Sequence, residues 1–127
     1  MITEDYVSFE IAKLLKEKGF NERCECFYET EKDDVSIVNE WMDISNSELE
    51  GTEFVRYSAP TLQMVMKWLR EIHGLFIHID VIREASCWTA DIQDIKNDVT
   101  IYPVKEEFPG YEEACEAGIK YCLKNLI

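Results

Sequence analysis

The sequence is poor in basic residues, with 13 lysines and arginines against 26 aspartates and glutamates, and its net charge is −13 over 127 residues. A protein surface of this sign repels nucleic-acid phosphates and anionic lipids. The few bases are also interspersed with acids, so the sequence predicts no basic groove for nucleic acid. We therefore expect no direct binding to nucleic acid or to a membrane, and the charge favours a basic protein partner.

Glycine and long apolar runs are also scarce. The five glycines are scattered and form neither a P-loop nor a dinucleotide-binding turn. The longest apolar stretch, Leu75–Ile82, is interrupted by His78 and Asp80 and is far shorter than the roughly 20 residues of a membrane-spanning helix. The first residues have neither the basic start nor the apolar run of a signal peptide. We expect a cytoplasmic protein without a cofactor.

The sequence also lacks a convergent set of catalytic or metal-binding residues. Cys24 and Cys26 are one residue apart, whereas a zinc knuckle needs two, and no second pair matches them. The two histidines, His73 and His78, have no cysteine near them in the chain. The sequence therefore predicts no catalytic, cofactor or metal site and a protein that is not an enzyme. Thiol chemistry would require Cys24 or Cys87 to lie within hydrogen-bond reach of a histidine in a cleft.

Against these absences stand an apolar fraction of 46% and three well-marked helices. The first helix follows Ser8, which suits an N-cap, and ends at Gly19. The second runs from about Pro60 to His73, and the third follows Gly110 with acids early and lysines late, as the helix dipole favours. Five residues of the second helix follow a 3.6-residue period and are expected to face the core: Leu62, Val65, Met66, Leu69 and Ile72.

Alternation of side chains predicts several strands. Cys24–Thr30 and Phe54–Tyr57 have the pattern of short strands. Leu75–Ile82, Cys87–Ile95 and Val99–Tyr102 are separated by short turns, which favours an antiparallel meander with Pro103 at a sheet edge. The order of these elements predicts an α+β fold with an antiparallel β-meander and about three helices packed on one face.

The chain is expected to form one domain over residues 1–127, with an acidic segment at 31–53 whose type, helix or strand, the sequence leaves open. Acids concentrate around this segment, because Glu22 to Glu53 contains eleven acids and two bases, a net charge of −9. This negative charge is explained most simply by solubility. The functional interpretation is contact with a basic partner.

Two features are candidates for contact with a partner. Met64 and Trp68 are four residues apart on a second face of the second helix, flanked by Lys67 and Arg70. Tryptophan and arginine are common interface anchors. The alternative is that Trp68 covers part of the core. The second candidate is the acidic segment with Trp41 and three carboxylates: Glu48, Glu50 and Glu53.

Several short motifs stand out at both ends and in the centre of the chain, outside residues 31–53. They are Tyr6-Val7-Ser8-Phe9-Glu10, Lys18-Gly19-Phe20, Ser58-Ala59-Pro60-Thr61, Lys67-Trp68-Leu69-Arg70-Glu71, Phe108-Pro109-Gly110-Tyr111-Glu112-Glu113-Ala114 and Gly118-Ile119-Lys120. In these motifs the chain resembles a family of short, uncharacterised proteins carried by phages and prophages of gut bacteria. The resemblance implies no activity and no functional residue, since that family has none assigned.

The sequence thus favours a small non-enzymatic accessory protein that acts by protein–protein interaction, with an unknown partner or as a homodimer. The alternative hypothesis is an acidic inhibitor that mimics nucleic acid and occupies a host defence or transcription protein. Regularly spaced carboxylates on one face would favour this alternative, whereas evenly scattered acids would count against it.

Overall fold

The structure is a computed structural model that describes residues 2–31, 34–50, 54–101 and 107–127, with the backbone alone at residues 40–43. It has an α+β fold with three α-helices in these ranges, as the sequence predicts, and the strands form two three-stranded antiparallel sheets. The chain divides into two compact units. The first unit is Tyr6–Thr61, and the second is Leu62–Ile127 together with the first five residues.

The first unit combines one helix with one sheet. Helix α1 (Phe9–Glu17) begins after Ser8, whose hydroxyl oxygen accepts a hydrogen bond from the Ile11 amide at 3.4 Å, so the predicted cap is confirmed. The segment left open by the sequence is largely a strand, followed by a short 3-10 turn at Ser47–Leu49. The sheet has the order β2-β1-β3, with strands β1 (Cys24–Glu31), β2 (Asp34–Ile44) and β3 (Val55–Ser58).

One buried side chain joins separate parts of the first unit. Asn46 is only 4% exposed. Its amide nitrogen donates to the Phe20 carbonyl oxygen at 2.7 Å, and its amide oxygen accepts from the Ser58 backbone N–H at 2.8 Å. Asn46 therefore satisfies one buried backbone group after α1 and another on β3.

The second unit contains the predicted meander, which the structure confirms with the strand order β4-β5-β6. Its elements are α2 (Leu62–His73), β4 (Leu75–Ile82), β5 (Cys87–Asp94), β6 (Val99–Ile101) and α3 (Tyr111–Tyr121). A π-helical turn, Cys122–Leu126, continues α3. Tyr102 and Pro103, which were predicted to end the third strand of the meander, lie outside the described residues. In the described ranges, no helix is long and apolar enough to cross a membrane.

Two glycines set the packing of the second unit. Gly118 brings α3 close to the sheet, since a Cβ atom there would lie 2.9 Å from Cγ2 of Ile77 and 3.6 Å from Cβ of Ala90. Gly74 has a φ of +65°, a conformation that favours glycine, and it alone separates α2 from β4. Helix α2 packs against both β4 and α3. The helix therefore folds back along the first strand of the meander.

The buried face of α2 differs from the predicted one at its last turn. Leu62, Val65 and Leu69 are buried as expected, but Ile72 is 56% exposed, so its predicted core position is wrong. Trp68 lies four residues before Ile72, on the same side of the helix, and is only 7% exposed. Its ring packs edge-on against the His73 ring, with 4.7 Å between their centroids. The larger aromatic side chain thus takes the buried position on this side.

Candidate functional site

The structure separates the residues predicted to contact a partner. Trp68 is buried, which agrees with the alternative that it belongs to the core, and Met64 is half-buried. Arg70 lines a groove beside β4. The Trp41 side chain and Glu53 lie outside the described residues.

The acidic segment contains both paired and exposed carboxylates. Glu48 lies 3.2 Å from the Arg23 guanidinium, and Glu29 lies 2.7 Å from that of Arg56. Glu50 is exposed. Glu29 lies just before the acidic segment, and the Arg23–Glu48 pair is exposed and therefore weak, so these ion pairs leave most of the negative charge in place. Mimicry of nucleic acid stays a prediction.

The cysteines are free, buried thiols. Cys24 donates to the Glu22 carbonyl oxygen at 3.6 Å. Burial, a hydrogen bond to Glu107 and the negative charge of Glu107 raise the pKa of the Cys87 thiol. A raised pKa is the opposite of what a nucleophilic thiolate needs. Within the described ranges, no group of three or more His, Cys, Asp or Glu residues could hold a metal ion.

A groove of about 410 Å³ lies between α2 and β4. Strand β4 lines one wall with four consecutive residues, 76–79, and Tyr111 of α3 also borders the groove. The Tyr111 hydroxyl accepts a hydrogen bond from the Gln63 side chain at 3.0 Å. Helix α2 lines the other wall with one stripe of side chains, spaced i, i+3, i+4 and i+7: Gln63, Met66, Lys67 and Arg70.

Strand β4 is an edge strand, and its register shows which backbone groups face the open edge. Hydrogen-bonded and non-hydrogen-bonded residue pairs alternate along an antiparallel ladder. The Ile95 amide donates to the Gly74 carbonyl oxygen at 2.9 Å, so every second residue from Gly74 onward bonds toward β5. The backbone N–H and C=O groups of Ile77 and Ile79 therefore point away from β5, on the edge of the strand whose residues line the groove.

Two further sets of hydrogen bonds agree with this orientation. Trp88, which lies opposite Val81, exchanges two backbone hydrogen bonds of 2.7 Å with Phe108, on the side of β5 away from β4. The outward N–H of Val81 donates to the Asp80 carboxylate at 2.9 Å. At Ile77 and Ile79, by contrast, no hydrogen bond from another described residue reaches the outward backbone groups. Ile77 is only 3% exposed, whereas Ile79 is partly exposed, so the accessible part of this open edge is at Ile79.

The two walls of the groove match in length. Four strand residues from Phe76 to Ile79 extend about 10 Å at roughly 3.3 Å per residue. The helix stripe from Gln63 to Arg70 extends about 10.5 Å at 1.5 Å per residue. The groove can therefore accept about four residues of extended chain lying between the helix and the edge strand.

The groove is cationic although the protein is strongly acidic. Lys67, Arg70 and His78 line it, and none of its lining residues is an aspartate or a glutamate. The Arg70 guanidinium lies 3.6 Å from the Glu71 carboxylate, and both side chains are partly exposed, so this ion pair is weak. Met66, Phe76 and Ile79, which are partly exposed, supply apolar surface.

Sequence reasoning named Lys67 and Arg70, as residues that flank Trp68, but missed the rest of this site. Met66 follows the apolar period of α2 and was expected in the core, whereas it is half-buried in the groove wall. The sequence did contain one usable signal. Gly74 is the only residue between α2 and β4, which places a helix beside the first strand of a meander.

No protein-family model, no curated protein and no solved structure matches this chain. The resemblance to phage and prophage proteins accordingly stays a prediction. The geometry of the groove is what supports a function.

Proposed function

We propose that this protein is a binding module that takes up an extended segment of a partner protein as a fourth strand at the open edge of β4. The observation that carries the proposal is the unpaired outward backbone of the partly exposed Ile79, next to the more buried Ile77, on an edge strand that borders a groove of strand length. An exposed strand edge is a template for pairing with another chain. The proposal is of the protein–protein class that the sequence favours, but it uses different residues.

The surroundings of the edge support strand addition over a flat contact. An added strand would lie about 4.8 Å from β4, with α2 as its second wall. Its backbone would pair with Ile77 and Ile79, and its alternate side chains would meet Met66 or Phe76. Main-chain pairing supplies affinity in this mode of recognition, and the side-chain contacts supply specificity.

The proposal is tested by removing one outward N–H group. In Ile79→Pro, the lost N–H belongs to the open edge and not to the β4–β5 ladder, so the sheet can still form. We expect binding of an extended peptide to weaken about tenfold or more, because an unmade hydrogen bond to a desolvated partner costs about 1–3 kcal/mol. The probe is a displayed library of random peptides of about ten residues, twice the length of a typical strand.

Two further variants keep the test decisive. Val81→Pro makes the same change on the same edge, but outside the groove and at an N–H that Asp80 already satisfies. Peptides selected on the wild type should bind this control about as well as the wild type. Met66→Trp fills the groove from the helix side without altering the strand, and it should also abolish binding. If no peptide is enriched, or if enriched peptides bind Ile79→Pro as well as Val81→Pro, the proposal is wrong.

A further inference from the structure

We infer that the segment taken up at β4 is acidic, with carboxylates at alternate positions that face α2; this inference rests on the proposed function. The observation behind it is the charge of the groove. In a chain with twice as many acids as bases, this lining has two permanent cations and a histidine and no carboxylate. No ion pair within the described residues engages Lys67.

The net charge of −13 favours a basic partner, so the local and global charges point in opposite directions. The distance of each charge from the ligand determines which of the two effects dominates in the groove. At physiological ionic strength the Debye length is about 8 Å, so charges beyond that distance from the ligand are largely screened. A carboxylate in the groove would lie within contact distance of Lys67 or Arg70, whereas the acids near the groove, such as Glu71 and Asp91, do not line it.

Arg70 lies at one end of the groove, and Lys67 lies beside Met66 near the middle of the helix stripe. Helix α2 folds back along β4 through Gly74, which places Arg70, near the end of the helix, beside the start of the strand. The opposite end carries the neutral hydrogen bond between Gln63 and Tyr111. Met66 lies between the two ends on the helix stripe. We therefore expect acidic residues at the end of the ligand next to Arg70, which can hold a carboxylate bidentately, and an apolar residue beside Met66.

The inference is tested on peptides selected from the same displayed library. The sequences enriched on the wild type should contain Asp or Glu at alternate positions. Each selected peptide is then compared with its counterpart in which Asp and Glu are replaced by Asn and Gln, by fluorescence anisotropy at two salt concentrations. We expect the amide counterpart to bind about tenfold more weakly at low salt, with a smaller difference at high salt.

Matched variants assign the effect to the groove. Lys67→Glu should weaken the acidic peptide about tenfold and leave the amide counterpart nearly unaffected. Arg83→Glu makes the same change in net charge in the exposed β4–β5 turn and should change neither affinity by more than about twofold. Arg83 does not line the groove.

The outcomes separate the inference from the proposed function. If peptides bind in a manner that Ile79→Pro abolishes, yet acidic and amide forms bind equally, strand addition stands and the acidic ligand is wrong. If no peptide depends on Ile79, both are wrong. If the protein alone sediments as a dimer that Ile79→Pro dissociates, the occupant of the edge is a second copy, and the acidic partner is overturned.

Discussion

A substitution at Asn46 removes few atoms but should lower the stability of the first unit markedly. Asn46→Ala leaves the Phe20 carbonyl and the Ser58 N–H buried without their partner. Each such group costs about 1–3 kcal/mol. Water entering the vacated space offsets part of this cost, so we expect the free energy of unfolding to fall by about 3 kcal/mol.

The assay is urea unfolding followed by circular dichroism. With a slope of about 1–3 kcal/mol per molar urea, the transition should move down by about 1–3 M. Asn21→Ala is the matched control, because Asn21 makes one exposed hydrogen bond, from the Ser47 amide at 2.8 Å. Its cost should be about 0.5 kcal/mol. If Asn46→Ala costs no more than Asn21→Ala, the bridging role of Asn46 is refuted.

Asn46→Asp tests the direction of the hydrogen bonds. An ionised carboxylate still accepts from Ser58 but places a negative oxygen against the Phe20 carbonyl, which needs a donor. The protonated acid can donate there. The stability deficit relative to wild type should therefore be smaller near pH 4 than at pH 7. An equal deficit at both values would show that Phe20 is not paired with this side chain.

Two further predictions follow from buried titratable groups. Burial and the nearby Lys96 charge lower the pKa of His73, and its Nε2 has no hydrogen-bond partner among the described residues. As pH falls below the ordinary value of 6.5, the unfolded state takes up the proton first, so the free energy of unfolding should decrease. His73→Gln should remove part of this decrease; a decrease in His73→Gln as large as in the wild type would contradict the assignment. Burial raises the pKa of Cys115 to about 11 and that of Cys122 to about 12. A thiol reagent should therefore react slowly with the cysteines of the native protein, whereas all five cysteines should react quickly after denaturation. A fast reaction of several thiols in the native protein would argue against their burial.

Local signals made most of the fold predictable. The α1 start depends on a serine whose hydroxyl caps the helix, and the stop depends on Gly19, which has a φ of +86°. Both effects act within a few residues and can be read from the chain. The meander was equally predictable, because the alternating side chains and the short turns leave few other ways to pair the strands.

The parts of the fold and of the groove that the sequence did not predict depend on contacts between residues far apart in the chain. Strand β2 carries a dense acidic pattern without a clear period, and it is a strand because β1 pairs with it over most of its length. Propensity alone does not determine such a strand. Ile72 fits the helical period, but Trp68 is buried on this side of the helix and Ile72 is exposed. The groove depends on which meander strand is the open edge and on which backbone groups face outward, and the side-chain pattern contains neither.

Amide hydrogen exchange at β4, measured by NMR with and without a saturating acidic peptide from the selection, tests strand addition most directly. If the peptide adds as a fourth strand, the Ile79 amide should gain about tenfold or more in protection as it acquires a hydrogen bond, and the more buried Ile77 amide should gain less. The His78 amide already bonds toward β5 and should change little. If the peptide binds while Ile77 and Ile79 exchange as fast as before, or if all three amides change alike, the partner does not pair with this edge.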